Sequence, residues 1–188
     1  IPVSEPADLE CRIRVEDSGG QISYYPEEPV LHVFPPVRGP VLINEFMASN
    51  DVSRADEYGE FDDWLELYNT APYPVNLADL YLSDNSSRPG KYRFPGTMLE
   101  PGAFFLVWLD DAPEQGERHA SFKLSREGEE VLLTRGPSAG FSIMDSLVYG
   151  EQETDISMGR TEDGGAGWSL FAQPTPAYSN LRTGLDPY

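Results

Sequence analysis

One cysteine and two histidines leave this 188-residue chain without the means for several kinds of chemistry. A lone Cys11 forms no intrachain disulfide, so a covalent framework is excluded and the redox compartment stays open. Its place in an alternating segment reads as a small buried hydrophobe rather than a reactive thiol. His32 and His119 are far apart with no cysteine neighbour, which excludes a histidine-rich zinc centre of about four ligands. Neither histidine sits in a recognisable nucleophile turn, so a Ser-His-Asp triad has no starting point, and no phosphate-cradling glycine loop occurs. Basic residues are also scarce, 13 against 32 acidic ones, for a net charge of −19. That balance repels phosphate backbones and anionic membrane surfaces, removes nucleic acid as a partner and favours divalent cations. No apolar run approaches the roughly 20 residues that would cross a bilayer, so direct membrane insertion is not expected. The chain opens mid-pattern at Ile1-Pro2-Val3 without a leader-like segment, as either a mature fragment or an excised piece of a longer chain would, which leaves a removed export signal open.

What is present is β structure. Seventeen glycines and seventeen prolines without a period suit many turns, and 12% aromatic residues supply a core. Leu9, Cys11, Ile13 and Val15 alternate with Glu10, Arg12 and Arg14, which predicts a half-buried strand. Asp17-Ser18-Gly19-Gly20 then offers hairpin-turn chemistry, and residues 22–25 read as the returning strand. Prolines from Pro26 to Pro40 mark a semi-rigid linker. Further strands are predicted near 41–47, 64–69, 79–83, 91–94, 104–109, 121–124, 130–135, 143–149 and 156–160, separated by turns such as Arg88-Pro89-Gly90. Within them, Leu65 and Leu67 should face the core, with Trp64, Glu66 and Tyr68 on the other side. Both faces of 104–108 are apolar, the mark of a strand covered on both sides. The expected division is a hairpin and proline-rich linker over 1–38, a β-sandwich over 39–182 and a tail over 183–188.

The motifs Ile43-Asn44-Glu45-Phe46-Met47-Ala48-Ser49-Asn50 and Asp63-Trp64-Leu65-Glu66-Leu67-Tyr68-Asn69 resemble the bacterial lamin tail domain family. So do, in order, Leu80-Tyr81-Leu82-Ser83-Asp84, Leu99-Glu100-Pro101-Gly102, Phe105-Leu106-Val107-Trp108, Gly128-Glu129-Glu130-Val131-Leu132-Leu133 and Pro174-Thr175-Pro176-Ala177. The resemblance implies an all-β, immunoglobulin-like antiparallel sandwich. It also implies an accessory module of an exported or surface-attached bacterial protein, extracellular, on the cell surface or periplasmic. Its partners would be neighbouring domains of the same protein and protein or glycan ligands. Segment 1–40 lies outside the resemblance and reads as the end of another immunoglobulin- or fibronectin-like module. A coiled-coil rod, a basic import cluster and a prenylation motif, features of lamins themselves, are absent from the chain, which ends Leu185-Asp186-Pro187-Tyr188.

The leading site candidate is the acidic loop from Ala55 to Asp63. Asp56, Glu60 and Asp62 fall on either side of Gly59 and can converge on one calcium ion, which takes six to eight oxygens. Against this stands a plainly solvated acidic loop, since Gly59 is fourth rather than sixth from Asp56 and Tyr58 takes the third place. Asp110, Asp111 and Glu114 form a second acidic group, and His119 is expected to support packing or a turn. Tyr24, Tyr25, Tyr58, Phe61, Tyr73 and Tyr92 are candidates for an aromatic binding surface or for covering sandwich edges. The expected role is a noncatalytic binding or spacer module. The alternative is a divalent-cation-dependent carbohydrate-active enzyme or its accessory domain, in which two carboxylates would form a glycosidase pair, although 32 acids guarantee chance pairs.

Overall fold

A computed structural model of the chain describes residues 39–136 and 140–181 and the backbone of 13–16 and 22–25. Cys11, His32, the proline linker, the tail and the side chains of Tyr24 and Tyr25 lie outside the described residues. The chain divides into two compact units, Ile1–Val37 and Arg38–Tyr188. In the first, β1 (Ile13–Glu16) and β2 (Ile22–Tyr25) pair antiparallel, with Ile13 opposite Tyr25.

The second unit is a sandwich with no α-helix among its described residues. Its larger sheet is ordered β10-β9-β4-β3-β13-β14. These strands are β3 (Val41–Met47), β4 (Asp63–Asn69), β9 (Phe104–Leu109), β10 (His119–Ala120), β13 (Ser157–Arg160) and β14 (Trp168–Phe171). The smaller sheet is ordered β12-β11-β6-β7, from β6 (Leu80–Ser83), β7 (Tyr92–Arg93), β11 (Glu130–Arg135) and β12 (Ser142–Val148). A two-stranded ribbon joins β5 (Val75–Asn76) to β8 (Met98–Leu99). All pairings are antiparallel except β9 with β10.

The core lies between the sheets because alternate residues of each strand point inward. Val41, Ile43, Phe46, Leu65, Leu67, Phe105 and Val107 from one sheet meet Leu80, Leu82, Val131 and Leu133 from the other. Burying each such side chain contributes roughly 1.5–3 kcal/mol. The opposite face of β4 and β9 is apolar as well, where Met47, Trp64, Leu106 and Trp108 form a second cluster. Leu65 and Leu67 face the main core as their alternation requires.

Irregularities in two strands set where polar groups enter the sandwich. The register of β3 slips between Ile43 and Glu45, leaving Asn44 as the extra residue of a bulge. The slip keeps Ile43 and Phe46 in the core while placing Glu45 opposite Glu66 on the other face. The expected strand at 121–124 is not one: pairing stops at Ala120, and only a single bridge joins Lys123 to Asp110. Phe122 and Leu124 alternate because both dip into the core from a loop. Conversely β5, β8 and β14 were not expected from the sequence. Two are only two residues long, and Leu170 of β14 is largely exposed, so neither length nor patterning marks them.

Candidate functional site

The acidic loop is tied down before it reaches its carboxylates. The Asn50 amide donates to the carbonyls of Arg54 (2.7 Å) and Asp62 (2.8 Å). Asp155 Oδ1 accepts the backbone N–H groups of Asp51, Val52 and Ser53, which holds its carboxyl below the ordinary value despite some burial. Asp56 Oδ1 accepts from the N–H groups of Tyr58 and Glu60, both at 2.8 Å, and Gly59 at φ +81° closes that turn. The turn brings one carboxylate oxygen each of Asp56, Glu60 and Asp62 within 4.8 Å of one another. Asp56 Oδ2 is buried and meets no donor among the described residues. The three predicted residues therefore converge.

The second long loop, with its short 3-10 turn at Pro113–Gln115, docks against the first. Tyr58 donates its hydroxyl to the Gln115 carbonyl (2.8 Å), and the Gln115 amide donates to Glu60 Oε2 (2.8 Å). His119 is fully buried at the junction, with Nδ1 on Asp110 and Nε2 3.3 Å from Glu57 Oε1. Burial lowers the affinity of this ring for a proton, but Asp110 and Glu57 together outweigh it and raise its pKa. The Glu57 carboxyl is held below its ordinary value by its own backbone N–H and by His119. Asp56, Asp110 and His119 also place ligand atoms within 4.8 Å of one another, so Asp110 joins the site while Asp111 and Glu114 point into solvent. With a carboxylate on each ring nitrogen, His119 is arranged as an internal cation and not as a base for a hydroxyl nucleophile. At the start of β4, burial pushes Asp63 up to about 6 even though its carboxylate accepts the Leu124 N–H (3.1 Å).

A second constellation was not anticipated. Glu45 and Glu66 are register partners on β3 and β4, and both are wholly buried. Glu45 accepts from the hydroxyl of Ser157 (2.5 Å) and from the N–H (3.0 Å) and hydroxyl (2.7 Å) of Thr175. Glu66 accepts from the amide of Asn44 (3.2 Å) and the N–H of Ala177. Asn44 also donates to Asp163 and Asn180, and Asn180 donates to the carbonyl of Arg160 (2.7 Å). The segment 174–180 is thereby strapped across two sheet strands by carboxylates. Ala177 adopts φ +69° to deliver its N–H, and a side chain at Gly159 would strike Asn180, Phe171 and Glu45 at 2.9–3.0 Å. Burial is the main reason that Glu66 is pushed up to about 8 and Glu45 above its ordinary value, with the Asp163 charge adding to both. The signal was a single glutamate inside each of two apolar runs, Val41–Met47 and Trp64–Leu67.

The sequence pattern of the Lamin Tail Domain family matches residues 35–151, more than half of the 188. The chain belongs to the lamin tail domain family. No curated protein and no solved structure matches it. The family consists of immunoglobulin-like domains and is not a known catalytic one, in keeping with this sandwich. The lamin tail match takes in both acidic loops, Glu45 and Glu66, but stops short of Ser157, Thr175, Ala177 and Asn180. Of the aromatic candidates in this lamin tail domain, Tyr58, Phe61 and Tyr73 are exposed at 58%, 44% and 57%. Tyr92 is buried instead: its ring packs on Phe94 and its hydroxyl donates to the Glu117 carbonyl (2.6 Å).

Proposed function

We propose that the domain is a noncatalytic recognition module of an exported or cell-surface multidomain protein, presenting its two docked acidic loops to a protein or glycan partner. The observation that carries this reading is the ordering of loops 48–62 and 110–118 by side-chain hydrogen bonds, with Tyr58 and Phe61 exposed beside them. A loop held before contact loses less freedom on binding. Exposed rings offer apolar faces to sugars or peptides. Glycan-array and affinity-capture measurements on the wild type and on Tyr58→Ala with Phe61→Ala test it. The paired substitution should abolish whatever the wild type retains, and an unchanged profile would move recognition elsewhere.

A calcium ion at Asp56, Glu60 and Asp62 is a second reading, favoured by the buried, unpartnered Asp56 Oδ2. Calorimetric titration should show saturable heat with calcium that vanishes in Asp56→Ala with Asp62→Ala. Absence of heat and of thermal stabilisation at millimolar calcium would leave the loop a solvated one.

A further inference from the structure

Beside the docked loops, a groove of about 580 Å³ opens at one margin of the sandwich. One wall is the segment 91–96 carrying β7, the end strand of the smaller sheet, and the other includes Pro113, Gly116, Glu117, His119 and Ser121. His119 belongs to β10, the end strand of the larger sheet, so both sheets end on the same opening. Among the described residues, Tyr92 and Arg93 of β7 pair with Leu82 and Tyr81 on one side only. In the antiparallel ladder Phe94 donates its N–H to Leu80, and alternation turns the N–H and C=O of Arg93 away from β6, toward the open side. Such an edge is a template for an added strand.

Two guanidinium groups stand beside this opening in a chain of 32 acids and 13 bases. Among the described residues, neither Arg93 nor Arg118 pairs with a carboxylate. Of the same described residues Arg54, Arg88, Arg126 and Arg135 also make no ion pair, so what sets Arg93 and Arg118 apart is their place beside this groove. Arg93 spends only its Nε, on the Ala78 carbonyl (2.9 Å). Arg118, next to the lining residues Glu117 and His119, lays its guanidinium on the Phe105 ring at 4.8 Å. Lys91 also lines the groove but is matched to Asp84, and Glu117 is the wall's own anion. Unused guanidinium donors are the groups that bind carboxylates in a bidentate fork.

We propose that this groove receives an extended acidic polypeptide, added as a strand to β7, with its carboxylates on Arg93 and Arg118. The proposal rests on the module reading and gives it a partner class and a surface. Side chains at every second position of the guest would face the groove, so acids alternating with small polar residues fit best.

The probe is a capped peptide of alternating Glu and Thr, compared with Gln/Thr and Lys/Thr versions, titrated into the isotope-labelled chain and followed by amide resonances. Saturable shifts confined to 91–96 and 113–121 are expected for the Glu peptide, with the Gln version weaker by about tenfold or more. Arg93→Glu should remove that binding while leaving the dispersed spectrum and melting temperature intact, because Arg93 is exposed. Arg93→Lys should retain part of it. Equal binding of all three peptides, or undiminished binding by Arg93→Glu, would overturn the proposal. So would shifts clustered on β12 or β14, although the module reading would survive that result. Array hits that depend on Tyr58 and Phe61, with no peptide binding at millimolar concentration, would likewise sink the groove and keep the module.

Discussion

Glu45 and Glu66 lie wholly inside the protein, while Glu57 and Glu60 stand exposed at the loop end, and the two groups are neutralised by opposite means. The sheet pair is held by hydroxyls, an amide and backbone N–H groups, none of which carries charge. Such donors favour the ionised form, but burial dominates and both carboxyls are pushed toward protonation. At the loop end a buried histidine whose pKa is raised lies between Asp110 and Glu57, and Glu57 is pulled the other way. The same residue type thus acts as a polar staple in one place and as a solvated anion in the other. Location relative to the sheet decides which.

The steepest loss is expected one residue from Glu66. Leu67→Ala empties a fully buried site in the main core and should cost roughly 2–5 kcal/mol in chemical denaturation. An unchanged denaturation midpoint would contradict the core assignment and remove the scale for the polar face. On that face, Glu45→Ala leaves the Ser157 hydroxyl and both Thr175 donors without their acceptor, for about 2–4 kcal/mol. Glu45→Gln keeps an acceptor oxygen and should cost clearly less. If Ala and Gln are equally mild, the strap does not depend on the carboxyl, and the contrast with the loop acids collapses.

Much of this fold could be read from the chain. Val41–Met47, Phe104–Leu109 and Glu130–Arg135 coincide with their predicted runs because apolar residues fill both faces or alternate cleanly. The convergence of Asp56, Glu60 and Asp62 was also legible, since a tight glycine turn makes their spacing local. The buried acid pair was not. Glu66 is on the non-core side as alternation requires, but Ala177, which donates to it there, arrives 111 positions later in sequence. No local pattern announces a partner at that separation. The parallel pairing of His119 with Trp108 was hidden for a similar reason, because two residues are too few to show a period.

The acid pair and the histidine can be separated by pH. Glu66 is raised from 4.5 to about 8, so the folded chain holds a proton that the unfolded chain releases across that range. Stability should therefore fall as pH rises from about 4.5 to about 8, by at most about 1.4 kcal/mol per pH unit for one such group. Glu45, also raised, adds to the same slope. His119 has a raised value from the opposite charge type: its contribution is full below 6.5 and is lost as pH climbs through the folded value. Asp155, which is lowered, contributes above 3.8 and loses that contribution as pH falls through its folded value. Melting temperature against pH should flatten between about 4.5 and 8 in Glu66→Gln, while His119→Gln lowers it most below about 6.5 and removes the decline above that pH. An unaltered profile in Glu66→Gln would show that the pair is ionised at no cost.

The smallest effect belongs to the loop end. Lys123 reaches Asp62 at 3.4 Å but keeps 58% of its side chain exposed, so water screens most of the attraction and the long chain loses rotamer freedom to make the contact. Lys123→Ala should shift stability by no more than about 0.5 kcal/mol. A cost comparable with that of Glu45→Ala would mean that Asp62 is held by more than a surface ion pair. The loop acids would then have to be regarded as structural, like those under the strap.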